Sequence, residues 1–195
     1  VLGLLDEPES RFLLWKRTVL AEGNIALAVQ DARPTWVFHL AGVAHINPAQ
    51  ESPASAFRLN VMGTVNVLEA CRYAEPRPQA IVVASSNHVY GNLRTLRRTV
   101  HQPFTEADAL AQHDVYGASK GCQDAVAVCY GRSFNLPVIA LRHANAFGPA
   151  DPHEAHLIPA ALLARAGTAP LRLRGSGGSR KDYLYIDDVI AAYLR

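Results

Sequence analysis

Tyr116 and Lys120 stand four residues apart in Tyr116-Gly117-Ala118-Ser119-Lys120. On a helix that spacing puts a phenol and an ammonium on one face, a turn apart. A close ammonium favours the phenolate, so the Tyr116 pKa is expected below its ordinary value near ~10. Such a phenol can exchange a proton with a substrate hydroxyl. The chain holds seven Tyr and three Lys among 195 residues, so about 0.1 pairs at this spacing are expected by chance. A solvated pair on a helix surface is the plain alternative.

A second group supports the first. The apolar run at residues 80–84 leads into Ser85-Ser86-Asn87-His88-Val89-Tyr90-Gly91. In parallel sheets, ligands bind at the C-terminal ends of strands. A hydroxyl there can bond the reacting oxygen and align it with the phenol. Ser85 and Ser86 could equally cap the strand end, so the specificity lies in their combination with Tyr116 and Lys120.

Strands and helices must hold these groups in place. Residues 36–40, 80–84 and 138–141 are continuous apolar runs and read as buried strands. Residues 53–72 read as a helix with Phe57, Val61, Val65 and Leu68 on one stripe, and residues 114–134 as another. The alternation predicts an α/β fold, a doubly wound parallel sheet with helices on both faces. The end of the chain differs. It reads as a helix over 157–165, strands at 171–174 and 183–186 around a Gly-rich turn at 175–179, and a final helix capped by Asp187.

Composition narrows the function classes. Hydrophobic residues make up 49% and charged residues 18%, a globular balance. A net charge of +2 gives no footprint for nucleic acid or an anionic membrane. The short basic runs are Arg94, Arg97, Arg98, and Arg172, Arg174, Arg180, Lys181. Cys71, Cys122 and Cys129 form no CxxC pair, and an odd count without a framework suggests a reducing cytoplasm. Cys122 and Cys129, seven apart on one helix face, read as core filling. No apolar run is long enough to span a membrane. Residues 1–5 are apolar, but Asp6 and Glu7 end the run too early for a signal peptide.

One expected part is missing. A dinucleotide fold opens with a strand, a Gly-rich turn and a helix that cradle the pyrophosphate. Before residue 40 there are only Gly3 and Gly23. Either no dinucleotide binds, or that unit lies outside the chain. The motifs favour the second, as does a first residue of Val rather than Met.

The ordered set of motifs resembles the extended short-chain dehydrogenase/reductase family, the nucleotide-sugar epimerases and dehydratases. The matching stretches are His39-Leu40-Ala41-Gly42, the Asn60–Ala70 helix, Ser85–Gly91 and Tyr116–Lys120. Leu141-Arg142-His143-Ala144-Asn145-Ala146-Phe147-Gly148-Pro149 and Lys181-Asp182-Tyr183-Leu184-Tyr185-Ile186-Asp187-Asp188-Val189 complete the set. The resemblance implies a partial dinucleotide-binding, Rossmann-like domain over 1–148 and a partial substrate-binding lobe over 149–195. It implies NAD, or NADP, as cofactor and a homodimer built on the two long helices. Tyr116 would be the general acid/base, with Ser86 on the sugar hydroxyl and Lys120 on the nicotinamide ribose. Asn24, Leu40, Ala41, Gly42, Asn60, Ser85 and His143 would join Tyr116 and Lys120 around the cofactor. His45, Ser86, Asn87, His88, Asn145, His156, Leu157, Arg180 and Lys181 would meet a nucleotide-sugar substrate.

The chain departs from that pattern in places. Lys181 stands where the family has an Arg for the diphosphate, and a Lys makes no planar bidentate contact. Gly23-Asn24 replaces the Gly-Asp of the adenine side. Dehydratases carry an acidic residue or pair after the active-site hydroxyl, where this chain has Asn87 and His88. His88 could serve as acid or base; Asn87 cannot ionise. Epimerases need no such pair, and a sugar or uronate dehydrogenase also fits the Ser85–His88 stretch. Three other readings remain open. Gly117-Ala118-Ser119-Lys120-Gly121 matches the hydrolase GxSxG, though the polar residues 111–115 before it are unlike a buried strand. His153 and His156 with Asp151 and Glu154 could suggest a metal, but a solvated loop explains them better and none is expected. A non-catalytic binding protein could keep the same fold.

Overall fold

A computed structural model of the chain describes residues 15–91, 103–154, 156–173, 177 and 181–195. The apolar start, Arg94, Arg97, Arg98, Arg174, Arg180 and most of the Gly-rich turn lie outside the described residues.

Three strands form a parallel sheet in the order β1 (Trp36–His39), β2 (Ala80–Ala84), β3 (Val138–Leu141). Phe38 stands opposite Val82, and Val82 opposite Ile139. One face of the sheet is covered by α1 (Glu22–Ala32), α4 (Gly63–Arg72) and α5 (Val115–Phe134). Val29 of α1, Val67, Leu68 and Cys71 of α4, Ile81 and Val83 of β2 and Ala127 of α5 make one core. Each large aliphatic side chain buried there contributes roughly 1.5–3 kcal/mol. Cys71 is sealed in it, and burial pushes its thiol up to about 12. The α/β class and the parallel sheet agree with the sequence reading.

The buried first strand needs correction. β1 ends at His39, Leu40 is 63% exposed, and Trp36 and Phe38 are 49% and 39% exposed. On that second face the Phe38 ring meets Trp36 and, from α7 (Ile186–Tyr193), Tyr193. Ile139 of β3 is likewise exposed.

The helix expected over 53–72 is three pieces: α3 (Pro53–Phe57), a π-helical turn (Arg58–Met62) and α4, preceded by the short α2 (Ile46–Glu51). The wider π turn shifts the buried face. Ala56, Asn60, Gly63, Thr64, Val67, Leu68 and Cys71 are buried, whereas Phe57 is exposed and Val61 and Val65 are half-buried. Of the expected stripe only Leu68 is fully interior.

The second helix begins as its sequence suggests. The Asp114 carboxylate caps α5, accepting a hydrogen bond from the Gly117 amide at 2.7 Å. Its inward face carries small and polar residues: Tyr116, Ser119, Lys120, Gln123, Asp124 and Ala127. Cys122 and Cys129 are exposed, so they do not fill the core.

Towards the C-terminus, β4 (Asn145–Phe147) pairs in parallel with β5 (Tyr183–Tyr185) in a separate two-stranded sheet, and α6 (Leu157–Arg165) lies between them in sequence. The strand expected at 171–174 is irregular over 171–173, where Leu171 and Leu173 lie exposed and pair with no strand among the described residues. α7 starts at Ile186 after Tyr185. Asp187 and Asp188 therefore sit in its first turn, where they complement the helix dipole, and neither is the cap.

Candidate active site

The site is assembled around Asn60. A π-helical turn inserts one residue per turn and often marks a functional position. Here it turns a fully buried carboxamide toward the end of β1 and the start of α5. The Asn60 side-chain oxygen accepts from the Val43 amide at 2.7 Å, and its nitrogen donates to the Val43 carbonyl at 3.2 Å and to the Ser119 hydroxyl at 2.8 Å. A Cβ at Gly42 would overlap the Asn60 carboxamide, so only glycine permits this approach. Ser119 in turn donates to the Tyr116 carbonyl at 2.8 Å. It is a buried helical residue, not a nucleophile on a strand-to-helix elbow, which removes the hydrolase reading.

Tyr116, Ser86 and Lys120 are all buried, at 8%, 7% and 5% exposure. The Ser86 side chain stands close enough to the Tyr116 phenol to favour its ionised form, and its hydroxyl oxygen accepts from the His88 amide at 3.2 Å. The expected lowering of the phenol pKa does not occur. Burial raises it above its ordinary value, the nearby Ser86 side chain opposes the rise, and the Asp114 charge adds to it. The Lys120 ammonium is held elsewhere, donating to the Ala84 carbonyl at 2.6 Å and the Gln123 side-chain carbonyl at 2.8 Å. Burial pushes its pKa down to about 8.

His88 lies edge-on to the Tyr116 ring, with centroids 5.4 Å apart. Its Nδ1 is 3.8 Å from the Asp114 carboxylate, and His113 approaches the same oxygen at 3.5 Å. Burial lowers the His88 pKa, Asp114 raises it, and Lys181 and His113 lower it further. Lys181 is thus close enough to act on the site, although it is exposed. The Ser85 hydroxyl turns away from this space and donates to Asp124 at 2.7 Å. Asp124 holds Arg142 through two bonds of 2.8 and 2.7 Å, and Arg142 also donates to the Tyr90 hydroxyl at 2.9 Å.

The remaining expected positions scatter. Asn24 is half-buried in the first turn of α1. Leu40 and Ala41 are exposed at the end of β1. The Asn87 amide donates to the His143 carbonyl at 3.1 Å, bringing those two together. Asn145 is exposed on β4, and Leu157 is exposed at the start of α6. His45 and His156 do meet: with His153 they form a ring cluster at centroid distances of 5.0, 5.4 and 4.9 Å. Asp151 binds His156 Nδ1 at 2.8 Å. Among the described residues no His, Cys, Asp or Glu group is arranged to hold a metal ion. Two hollows lie away from Tyr116, one along residues 72–77 and one between α1 and α4.

Sequence reasoning missed Thr64, Gln123, Asp124 and Asp114 as parts of the site. The available signal was spacing: Gln123 and Asp124 lie three and four residues after Lys120, on the face that carries it.

Residues 10–195 match the model of the NAD dependent epimerase/dehydratase family. A dTDP-glucose 4,6-dehydratase of Neisseria gonorrhoeae is 32% identical over 80% of the chain and 46% of its own length. UDP-glucuronate 4-epimerase 2 of Arabidopsis thaliana is 35% identical over 82% of the chain and 36% of its own length. The chain therefore spans less than half of these relatives. A solved dTDP-glucose 4,6-dehydratase of Streptomyces venezuelae with NAD bound superposes with a TM-score of 0.83 at 26% identity, covering 99% of the chain and 56% of that structure. The UDP-glucose 4-epimerase of Thermus thermophilus in complex with NAD gives 0.78 at 28% identity, over 92% of the chain and 58% of that structure. With its Tyr116, Lys120 and Ser86 gathered at one strand end, the chain belongs to the NAD-dependent epimerase/dehydratase family.

Proposed function

We propose that the chain carries the catalytic part of a longer NAD(P)-dependent nucleotide-sugar epimerase/dehydratase that works through a transient 4-keto sugar. The observation that carries this reading is the buried phenol of Tyr116, beside the buried Ser86 and sharing a helix face with the buried Lys120. The residues fit the nicotinamide half of the cofactor. Ala84 and Gln123 take two of the three ammonium hydrogens of Lys120, which leaves one for a ribose hydroxyl. The chain has no Gly-rich turn before residue 40 for the pyrophosphate, so by itself it should hold NAD weakly. When bound, NAD supplies the hydride acceptor.

The chain's own residues handle the proton. Ser86 holds the sugar hydroxyl against Tyr116, and Tyr116, in its phenolate form, takes the hydroxyl proton and later returns it. Because burial keeps the phenol protonated, the oxidative direction should speed up as pH rises and the phenolate fraction grows. Exposed Lys181, with Asn87, Asn145 and the His45/His156 cluster, would face the nucleotide-sugar side, residues 149–195 forming part of the substrate lobe.

Dehydration is a second reading, favoured by one observation. His88 with Asp114 gives an ionisable group beside Tyr116, which elimination of water requires and epimerisation does not. The deciding experiment is mass spectrometry of products from a UDP-, GDP-, CDP- and dTDP-sugar panel with the full-length parent. Unchanged mass with altered stereochemistry means epimerase, and loss of water means dehydratase. Loss of two hydrogens with stoichiometric NADH would mean a dehydrogenase. Tyr116→Phe should cut turnover by roughly 100-fold or more with the circular dichroism unchanged. Near-normal turnover would refute the mechanism.

We further propose a cytoplasmic homodimer. Its free thiols at Cys71, Cys122 and Cys129 suit a reducing compartment. Cys122, Ala125, Val128 and Cys129 make an exposed, weakly polar stripe on α5 suited to pairing with a second copy. Val128→Lys should shift light-scattering mass from dimer to monomer, and an unchanged mass would rule out this face.

A further inference from the structure

Lys120 is held in an unusual way. The residue is 5% exposed, yet among the described residues no carboxylate binds its ammonium; its side-chain partner is Gln123, which is fully buried. Both ends of the Gln123 amide are occupied. The oxygen accepts from Lys120 at 2.8 Å, and the nitrogen donates to the Thr64 hydroxyl at 2.8 Å. Thr64 donates its only hydroxyl hydrogen to the Asn60 carbonyl at 2.7 Å. His39 Nε2 lies 2.8 Å from the Thr64 hydroxyl oxygen, whose hydrogen is already given away, so Nε2 must carry the imidazole hydrogen. The donors then run one way: His39 and Gln123 into Thr64, Thr64 into Asn60, and Lys120 into Gln123.

We propose that Gln123 is a positioning residue that fastens the Lys120 ammonium to the buried Thr64–His39 pair and thereby sets its direction and proton affinity. The inference rests on Lys120 being the cofactor-side cation of the proposed function. The titratable groups facing this space are His39 from β1, Tyr116 and Asp124 from α5, and Arg142 beyond β3. Asp124 and Arg142 neutralise one another in a bidentate pair. His39 is kept neutral, its pKa pushed down to about 4 by burial and by the Lys120 charge. A neutral carbonyl dipole is therefore what Gln123 offers the ammonium. A carboxylate there would bind it more strongly and raise its pKa, while an apolar side chain would leave the charge on Ala84 alone.

The test reads Lys120 directly and needs neither cofactor nor turnover, so failure of the enzymatic reading would not be mistaken for failure of this one. The chain has three lysines, Lys16, Lys120 and Lys181, so selective ¹³Cε labelling lets each be titrated by NMR. In Gln123→Leu the Lys120 midpoint should fall by about one to two pH units, the worth of a hydrogen bond to a charged group. In Gln123→Glu it should rise by at least about one unit. Lys16 and Lys181 should not move in either variant. A Lys120 midpoint within about 0.3 units of wild type in both folded variants would overturn the proposal, because a merely space-filling Gln123 leaves the titration alone. Should neither variant fold, the wild-type chain decides. Ammonium hydrogens clamped on Gln123 exchange slowly with water and give a resolved ¹⁵Nζ signal, and rapid exchange would sink the idea.

Discussion

Burial of His39 should make the fold sensitive to acid. The residue is 4% exposed, and burial followed by the Lys120 charge pushes its pKa from 6.5 down to about 4. Between those values the unfolded chain binds more protons than the folded one. Stability is therefore complete above the unfolded pKa and is lost as pH falls toward 4, by up to about 3 kcal/mol. Urea midpoints measured from pH 7 to pH 4 should fall through this window, and His39→Gln should flatten the fall. An equally steep loss in that variant would assign the acid sensitivity elsewhere. Tyr116, Lys120 and Ser86 were legible in the sequence because residue type and spacing carry their chemistry. Thr64, Gln123 and Asp124 were not, since a polar residue on a helix ordinarily faces water and only packing shows otherwise. The phenol expectation failed for a related reason. Spacing brings an ammonium near a helix face but does not say which acceptors its hydrogens choose.

Helix α5 carries both Tyr116 and Lys120 within its first two turns, so its start matters more than its length. Asp114 caps the Gly117 amide and also stands beside His88 and His113. Asp114→Ala should cost about 1 kcal/mol of stability for the lost cap. Asp114→Asn retains a capping oxygen and should preserve the fold while removing the charge that raises the His88 pKa. Thermal melts and a His88 NMR titration separate the two effects, and an unmoved His88 midpoint in Asp114→Asn would show that the carboxylate does not act on it. The start of this helix was readable because an aspartate before a helical stretch is a local signal. The π turn at Arg58–Met62 was not. One extra residue in a turn leaves composition unchanged and rotates the buried face by one position, from Phe57 and Val61 to Ala56 and Asn60.

At the scale of the whole chain, the parallel sheet was readable because apolar strands and amphipathic helices differ in period. The C-terminal part was less so, since short strands such as β4 and β5 are fixed by partners rather than by pattern. The second sheet face shows Trp36, Phe38 and Ile139 at 49%, 39% and 55% exposure. Such a patch should bind a hydrophobic dye, and Phe38→Thr with Ile139→Thr should weaken that binding at a stability cost of less than about 1 kcal/mol. A large loss of stability would show that the face is covered in solution. The carboxamide of Asn60 has a further consequence. By joining Val43 to Ser119 it ties the loop after β1 to α5 through the chain's own hydrogen bonds. The entropy of ordering that loop is surrendered during folding, so a ligand arriving there meets a preorganised wall, and its association enthalpy need not compensate for a disorder-to-order transition.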